Sequence, residues 1–477
     1  MTNRVRAMAK SGLLLFVLFQ VGLVYVHSQT QGARPRRIAV FGSSVANGTG
    51  DEFGKEGYTG LLRDLLAPRG WEVLNQSRGG DTTKTMAPRF APEAAPQPNV
   101  RYLLPVNPGY VVIALSLANE GIWEAKTTAE KEAVFKQYSD GIQGFINRSR
   151  QNNIVPIVAL VYPRMVYTPV EYEYVRKMNL LQNSWDVPTV NFLGATDDGT
   201  GRYTTGFDFD DKHPNASGHR EFFYAFVPTL FEALEKGKPT PVRAQADRSF
   251  LRVAQSNAPL TFSPEDVMHP FAISFDARAQ ADGTVAAIAG SKLSAKTETK
   301  KGGQRGQVEF ESTVLSPDQP FMASIAIQNG YWSYKPATGA AIRSSVRADS
   351  EWHHIALSHY TARGETLFYV DGNLAGKVPE RLQPNRFVLG GPGSTGGAAA
   401  PRQADYKEVF VFRSALNSDE IRALNDGKLV QASLEVYAPL NDTQFREAAA
   451  VENRAQSLSV LKAGAGRLTH VTDTSRR

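Results

Sequence analysis

Residues 36–48 read Arg36-Arg37-Ile38-Ala39-Val40-Phe41-Gly42-Ser43-Ser44-Val45-Ala46-Asn47-Gly48. Ile38 to Phe41 is a short apolar run, the pattern of a buried strand. It stops at Gly42, and a turn of small residues with two serines follows. A serine just past a strand end can present its hydroxyl at the carboxyl edge of a sheet, where open α/β sheets place their chemistry. Taken alone, the stretch reads better as a serine-rich turn. Its weight comes from a second stretch far downstream, Asp210-Asp211-Lys212-His213-Pro214-Asn215-Ala216-Ser217-Gly218-His219. An Asp three residues before a His supplies an orienting carboxylate and a base.

Outward from Ser44, residues 36 to 235 alternate strand and helix patterns. Leu61, Leu62, Leu65 and Leu66 repeat at helical spacing. Trp71 to Asn75, Tyr110 to Leu117, Ile154 to Val161 and Val187 to Phe192 read as further strands. Thr127-Thr128-Ala129-Glu130 and Thr168-Pro169-Val170-Glu171 are capping boxes that open helices. Ser217 to Leu234 reads as a closing helix. Strands that are apolar throughout, separated by amphipathic helices, predict a mostly parallel sheet covered on both faces.

Two more blocks join the first two. Asn75-Gln76-Ser77-Arg78-Gly79-Gly80-Asp81-Thr82 follows one predicted strand, and Ser116-Leu117-Ala118-Asn119-Glu120 ends another. Together, in order, the four blocks resemble the SGNH (GDSL-type) hydrolase family. The resemblance implies a three-layer flavodoxin-like α/β/α fold over roughly the first half of the mature chain. It places the nucleophile at Ser44 and the base and its orienter at His213 and Asp210. The oxyanion donors it implies are the N–H of Ser44, the N–H of Gly80 and the amide of Asn119, with Gly79 a rival to Gly80. Three positions depart from the family pattern: Ser43 and Glu120 stand where it has aspartate, and Leu117 where it has glycine. None of them removes a catalytic group.

The residue types suit this chemistry. A serine hydroxyl needs a base within hydrogen-bond reach to become a nucleophile. An imidazole takes and returns a proton near neutral pH, and a carboxylate holds its tautomer and stabilises the imidazolium. His219 reads as a packing histidine inside the closing helix, and Asp211 as a weaker orienter than Asp210. Trp123, Arg164 and Tyr167 follow strand ends and are candidates for lining a substrate pocket, with Arg164 suited to a carboxylate or sulfate.

A chain of 477 residues predicts more than one domain, since single cores stop growing beyond roughly 250–300 residues. Residues 1–28 read as a signal peptide: Arg4, Arg6 and Lys10 precede an apolar run from Leu13 to Val26, too short for a membrane span. A secreted, periplasmic or extracellular location follows, with an uncleaved anchor as the alternative. Taking the leader's three basic residues from a formal net charge of +6 leaves +3. That balance does not suggest a nucleic-acid partner, and no integral membrane partner is implied. With no cysteine, disulfides, thiol nucleophiles and a lipidated N-terminal cysteine are excluded.

The hydrolase domain is expected over 29–235 and a linker over 236–247, where Lys236-Gly237-Lys238-Pro239-Thr240-Pro241 stands. Beyond it the texture changes to short strands between Gly, Asp, Ser and Pro turns, an all-β jelly-roll sandwich over 248–440. Asp371-Gly372 after Leu367-Phe368-Tyr369-Val370 is a hairpin signal. Glu351-Trp352-His353-His354-Ile355-Ala356-Leu357 and Tyr406 to Leu416 resemble the laminin-G-like (concanavalin A-like) sandwich. Such modules bind calcium and sugars. Asp371 or Asp405 would contribute to calcium, and Trp332 or Trp352 to sugar stacking, though hairpin aspartates and core tryptophans are the commoner fates. Gly390 to Ala400 reads as a Gly/Ala-rich loop, and 441–477 as a C-terminal tail.

The expectation is an exported serine esterase that removes acyl groups, most simply acetyl, from a carbohydrate. It requires no cofactor or metal. The alternatives are a lipid or small-ester hydrolase and a non-catalytic glycan-binding or adhesion protein.

Overall fold

The computed structural model describes residues 34–244, 249–254, 259–297, 307–314, 322–390, 403–441, 450–463 and 469–472. The signal-peptide reading lies outside them, as does the loop expected to Ala400 beyond Gly390. Residues 35–477 form one compact unit.

Five parallel strands make the first sheet: β1 (Arg37–Gly42), β2 (Glu72–Asn75), β3 (Tyr110–Ala114), β4 (Val155–Ala159) and β5 (Thr189–Val190). Their order is β2-β1-β3-β4-β5, which reverses direction beside β1 as in flavodoxin-like folds. Side chains alternate between two cores. Ile38, Val40, Tyr110, Val112 and Ile157 face one side. There they meet α1 (Gly57–Leu66), α6 (Ala216–Tyr224) and α7 (Leu230–Glu235) through Leu62, Phe222 and Phe231. Ala39, Phe41, Val111, Ile113 and Val158 face the other. There they meet α2 (Thr83–Met86), α3 (Thr128–Gln151) and α4 (Pro169–Asn183) through Met86, Ile142, Phe145 and Met178. Both faces are therefore covered, which is why the strands are apolar throughout. Thr127 and Thr168 form the capping boxes at the starts of α3 and α4. The single closing helix expected over Ser217–Leu234 is instead two helices. They are separated at 225–229, where Pro228 cannot continue the backbone ladder. A short helix, α5 (Leu193–Thr196), follows β5.

The second half is all-β apart from α8 (Ser418–Asn425), and its strands pair antiparallel in two sheets. In chain order they are β6 (Ser249–Ala254), β7 (Leu260–Phe262), β8 (Phe271–Arg278), β9 (Gly283–Thr297), β10 (Val308–Val314), β11 (Ala323–Gln328), β12 (Tyr331–Lys335) and β13 (Ile342–Arg347). Then come β14 (His353–Tyr360), β15 (Glu365–Val370), β16 (Asn373–Pro379), β17 (Leu382–Leu389), β18 (Gln403–Phe412), β19 (Leu434–Ala438), β20 (Ala450–Val451), β21 (Leu461–Ala463) and β22 (Thr469–Thr472). One sheet runs β13-β12-β11-β9-β17-β7-β21-β20 with β10 on β9; the other runs β16-β15-β14-β8-β18-β6-β22 with β19 on β18. Phe271, Ile273, Phe275, Ile355 and Leu357 from one sheet and Ile288, Ile325, Trp332 and Phe387 from the other share a core. Trp332 is thus a core residue, fully buried. Trp352 stays half-buried, with Arg278 and Lys407 over its ring at 4.8 and 4.3 Å. Asp371 and Gly372, both at positive φ, close the β15–β16 hairpin. Asp371 accepts from the His353 ring and Asp405 pairs with Arg252 and Arg278. The segment after 441, about which the sequence says little, supplies β20 to β22.

The sandwich is docked firmly on the parallel sheet. The exposed edge of the two-residue β5 is covered, as edge strands need to be. Ser433 N–H donates to the Thr189 carbonyl at 2.9 Å, and Asn191 N–H donates to Ser433 Oγ at 2.8 Å. Ala432 N–H reaches Asn183 Oδ1 at 2.8 Å, and Arg176 pairs with Asp419 at 2.6 Å. Gly194 packs so close to Ala415 that a Cβ would lie 2.0 Å from its carbonyl oxygen. The stretch after α7 is anchored too: Lys238 Nζ donates to the Asn453 and Ser457 carbonyls, and Arg243 pairs with Glu408. Among the described residues, no helix is long and apolar enough to cross a membrane.

Candidate active site

The turn after β1 carries Ser44. Ser43 N–H donates to the Ala114 carbonyl at 3.2 Å, and Asn47 and Thr49 N–H groups return to the Ser43 and Ser44 carbonyls. Ser43 is fully buried and its hydroxyl lies 3.4 Å from Tyr162 Oη, so an aspartate at this position would place a carboxylate against a buried phenol. Thr59 Oγ1 donates to the Ala46 carbonyl at 2.8 Å and ties the turn to α1. His219 braces the same turn. Its Nε2 lies 3.0 Å from the Thr49 carbonyl and its Nδ1 3.4 Å from Tyr58 N–H. Those partners call for the neutral ring protonated at Nε2, and burial pushes its pKa down to about 4. It is a packing histidine.

Asp210 and His213 sit on a tight loop before α6. Phe209 N–H donates to the His213 carbonyl at 2.9 Å, and Asn215 N–H to the Phe207 carbonyl at 3.1 Å. Asn215 Oδ1 then caps α6 by accepting from Gly218 N–H at 2.9 Å. The loop brings the three side chains into one hydrogen-bonded chain. His213 Nε2 is 2.9 Å from Ser44 Oγ, and His213 Nδ1 is 2.9 Å from each Asp210 oxygen. Asp210 Oδ1 also accepts the N–H groups of Lys212 and His213 at 2.7 and 2.8 Å. Partial burial would raise the Asp210 carboxyl, but the hydrogen bonds from the ring and the two N–H groups outweigh it and hold the carboxyl below its ordinary range. Asp211 plays no part in the chain of bonds; its carbonyl accepts Met165 N–H at 3.1 Å.

The remaining blocks end β2 and β3, on either side of β1. Gly79 faces Ser44, with an ideal Cβ 3.8 Å from the serine Cβ. Gly80 has φ +80°. A Cβ there would meet nothing within 4 Å, so the backbone conformation, rather than steric room for a substrate, is what favours glycine. Among the described residues, no acceptor takes the N–H of Ser44, the N–H of Gly80 or the side-chain amide of Asn119. Glu120 links the two blocks: its carboxylate accepts from Thr83 N–H, from Thr83 Oγ1 at 3.2 Å and from Gln137 Nε2 at 2.6 Å. Leu117, in place of glycine, is fully buried in the core beside α3.

The three expected pocket residues part company. Trp123 is 39% exposed and its Nε1 donates to the Ala118 carbonyl at 3.2 Å, just before Asn119. Tyr167 does not line an open surface. It is fully buried, burial pushes its pKa up to about 12, and its hydroxyl lies 3.1 Å from Ser116 Oγ, which accepts Ala118 N–H. It supports the turn before Asn119. Arg164 is half-buried, and its charge acts on the buried phenols of Tyr162, Tyr167 and Tyr203. Its Nε has no partner among the described residues. Two large exposed aromatics, Phe209 (48%) next to Asp210 and Phe53 (58%) in the turn before α1, carry no sequence signal of a site. Gly50 adjoins both Phe209 and His213. Lone aromatics in polar loops give no periodic signal.

Residues 40–221 match the family model of the GDSL-like lipase/acylhydrolase family. Residues 40–221 form a GDSL-like lipase/acylhydrolase domain. That domain is of a serine ester hydrolase type. No curated protein matches the chain. Among solved structures it resembles a protein described as lipolytic and of the G-D-S-L family from Desulfitobacterium hafniense (18% identity, TM-score 0.31, 40% of this chain and 97% of that one). It also resembles an acetylxylan esterase from Geobacillus stearothermophilus (15%, 0.30, 40% and 91%). A protein described as carbohydrate binding from Bacteroides ovatus is similar at 13% identity and TM-score 0.33, over 49% of this chain and 62% of that one.

A cavity of about 890 Å³ lies away from the GDSL-like site, between the end of α4, the 240–243 segment and α8. Leu180, Trp185, Val242 and Leu429 line it, and no triad residue does. The Ser44–His213–Asp210 chain of hydrogen bonds, not the cavity size, marks the candidate site. Among the described residues no group of three or more His, Asp or Glu side chains is placed to hold a metal ion.

Proposed function

We propose that the protein is an exported hydrolase that removes acyl groups, most simply acetyl, from a carbohydrate. The observation that carries the catalytic part is the unbroken chain from Ser44 Oγ through the His213 ring to Asp210. Ser44 Oγ attacks the ester carbonyl carbon while its proton passes to His213 Nε2. The N–H groups of Ser44 and Gly80 and the amide of Asn119 take up the oxyanion. His213 returns the proton to the leaving sugar oxygen, and the C–O ester bond breaks. The acyl-enzyme remains. Water then attacks it, giving its proton to His213, and the carboxylic acid leaves as Ser44 regains the proton. Asp210 stays ionised throughout and stabilises the imidazolium.

The carbohydrate part rests on the rim. Phe209, next to Asp210 in the chain, and Trp123, bonded to the turn before Asn119, present exposed rings, and aromatic faces stack on the C–H faces of sugars. Arg164 supplies a cation for an acidic sugar. Export rests on the N-terminal pattern alone. The test is acetate release from acetylated polysaccharides beside p-nitrophenyl acetate, butyrate and octanoate. Acetyl preference, with Trp123→Ala raising KM on the polymer but not on p-nitrophenyl acetate, is the expected result. Preference for octanoate would instead indicate a lipid or long-chain ester substrate.

A further inference from the structure

Resting on this esterase reading, we infer that Phe310, in the β-sandwich, is a positioning residue for the catalytic Asp210–His213 loop. The loop has a base and a tip. Phe207 forms the base, where its carbonyl accepts Asn215 N–H at 3.1 Å and lies against Gly218, at which a Cβ would approach the same oxygen to 2.4 Å. Asp210 and His213 form the tip.

The Phe207 ring, fully buried, does not pack into the hydrolase core. It packs with Val308, Ala362 and Phe310, all from the sandwich. The Phe207 and Phe310 rings stack at 6.0 Å. Two polar contacts fix the same seam to α6: Ser217 Oγ donates to the Val308 carbonyl at 2.8 Å, and Glu221 Oε1 meets His269 Nδ1 at 3.0 Å. The His269 ring in turn lies 5.4 Å from Phe310. The β9–β10 hairpin therefore serves as one wall of the loop that places His213 2.9 Å from Ser44. On this reading the sandwich is part of the catalytic apparatus and not a tethered targeting module alone.

The test uses the full chain and compares wild type, Phe310→Ala, Phe310→Leu and Phe262→Ala. Phe262 stacks on Phe387 at 6.0 Å in the sandwich core, and its truncation controls for general loss of stability. A base displaced by about 1 Å lowers rate by up to ~100-fold. Phe310→Ala should therefore lower kcat on p-nitrophenyl acetate about 10- to 100-fold with KM within about twofold. Phe310→Leu should recover much of the loss, and Phe262→Ala should keep kcat within about twofold. Hydrogen exchange of residues 204–217 should quicken in Phe310→Ala while β11 and β12 are unchanged. Unchanged exchange over 204–217 overturns the inference, as does quickened exchange with unchanged kcat. Absence of Ser44-dependent turnover in the wild type contradicts the esterase reading instead, and the exchange measurement then decides the positioning by itself.

Discussion

Replacing Asp210 by Asn isolates the charge of the proposed orienter of His213. The Asn Oδ1 can still accept the Lys212 and His213 N–H groups that Asp210 now accepts at 2.7 and 2.8 Å, so the loop keeps its turn. What is lost is the negative charge beside the imidazolium that forms as Ser44 attacks. With charge centres about 4 Å apart and an effective dielectric constant near 20, that attraction is about 4 kcal/mol. The Asp210 side chain is 44% exposed, so solvent screening reduces this. About 2 kcal/mol is a fair discounted figure, and at 1.36 kcal/mol per factor of ten it corresponds to a ~30-fold loss. The unscreened value sets the upper limit at ~1000-fold. The expected outcome is a kcat/KM on p-nitrophenyl acetate lower by about 30- to 1000-fold, with the loss in kcat. Asp211→Asn, which removes a carboxylate one residue away with no part in the chain of bonds, should stay within about twofold. An Asp210→Asn enzyme as active as the wild type, in a protein with an unchanged melting point, would refute the assignment of the orienter.

On the proposed mechanism Asn119→Ala removes an oxyanion donor, and the loss should be about 100-fold in kcat with KM little changed, checked by steady-state kinetics. Gly80→Ala places a methyl group in open space on a backbone at φ +80°. The cost is backbone strain of about 1 kcal/mol, read as a lower melting point, and a wild-type melting point would show that the turn relaxes. Glu420, at the seam between α8 and the parallel sheet, is buried and its carboxyl is pushed up to about 8, burial outweighing the Asn417 N–H hydrogen bond. The unfolded chain ionises it near the ordinary 4.5. The folded state therefore binds the extra proton between those values. Its contribution to stability is full below pH ~4.5 and is lost as pH rises toward ~8. Relative to wild type, Glu420→Gln should gain stability at pH 8 over pH 5, measured by denaturant melts at both; parallel pH dependence in the two proteins would count against a buried neutral acid.

The parallel sheet is legible because its strands are apolar on both faces and its helices open with threonine-led capping boxes. Those signals are local, and β1 to β4 and the starts of α3 and α4 follow them. The site residues are legible as four short blocks because a sheet edge gathers strand ends that are distant in the chain. What brings Ser44, His213 and Asp210 together is such an edge. The docking of the two halves is not legible in the same way. Asn183, Asn191, Ser433 and Glu420 look like ordinary turn and helix residues, and only their meeting across the seam gives them a role. Phe207 and Phe310 are likewise single aromatics in polar surroundings. Tyr167 shows the reverse error: its place after a strand suggests a pocket wall, but its ring turns inward to hold Ser116. β20 to β22 escape notice because strands of two to four residues carry no local periodicity, and β21 and β22 pair with partners some 200 residues away.

The most direct test of the account is p-nitrophenyl acetate hydrolysis by purified residues 29–477 beside Ser44→Ala, each with its circular dichroism spectrum. The account predicts acetate release by the wild type and loss of at least ~1000-fold in a normally folded variant, because among the described residues the hydroxyl on His213 Nε2 is that of Ser44. Hydrolysis that survives in folded Ser44→Ala would contradict the nucleophile, and with it the mechanism proposed for this site.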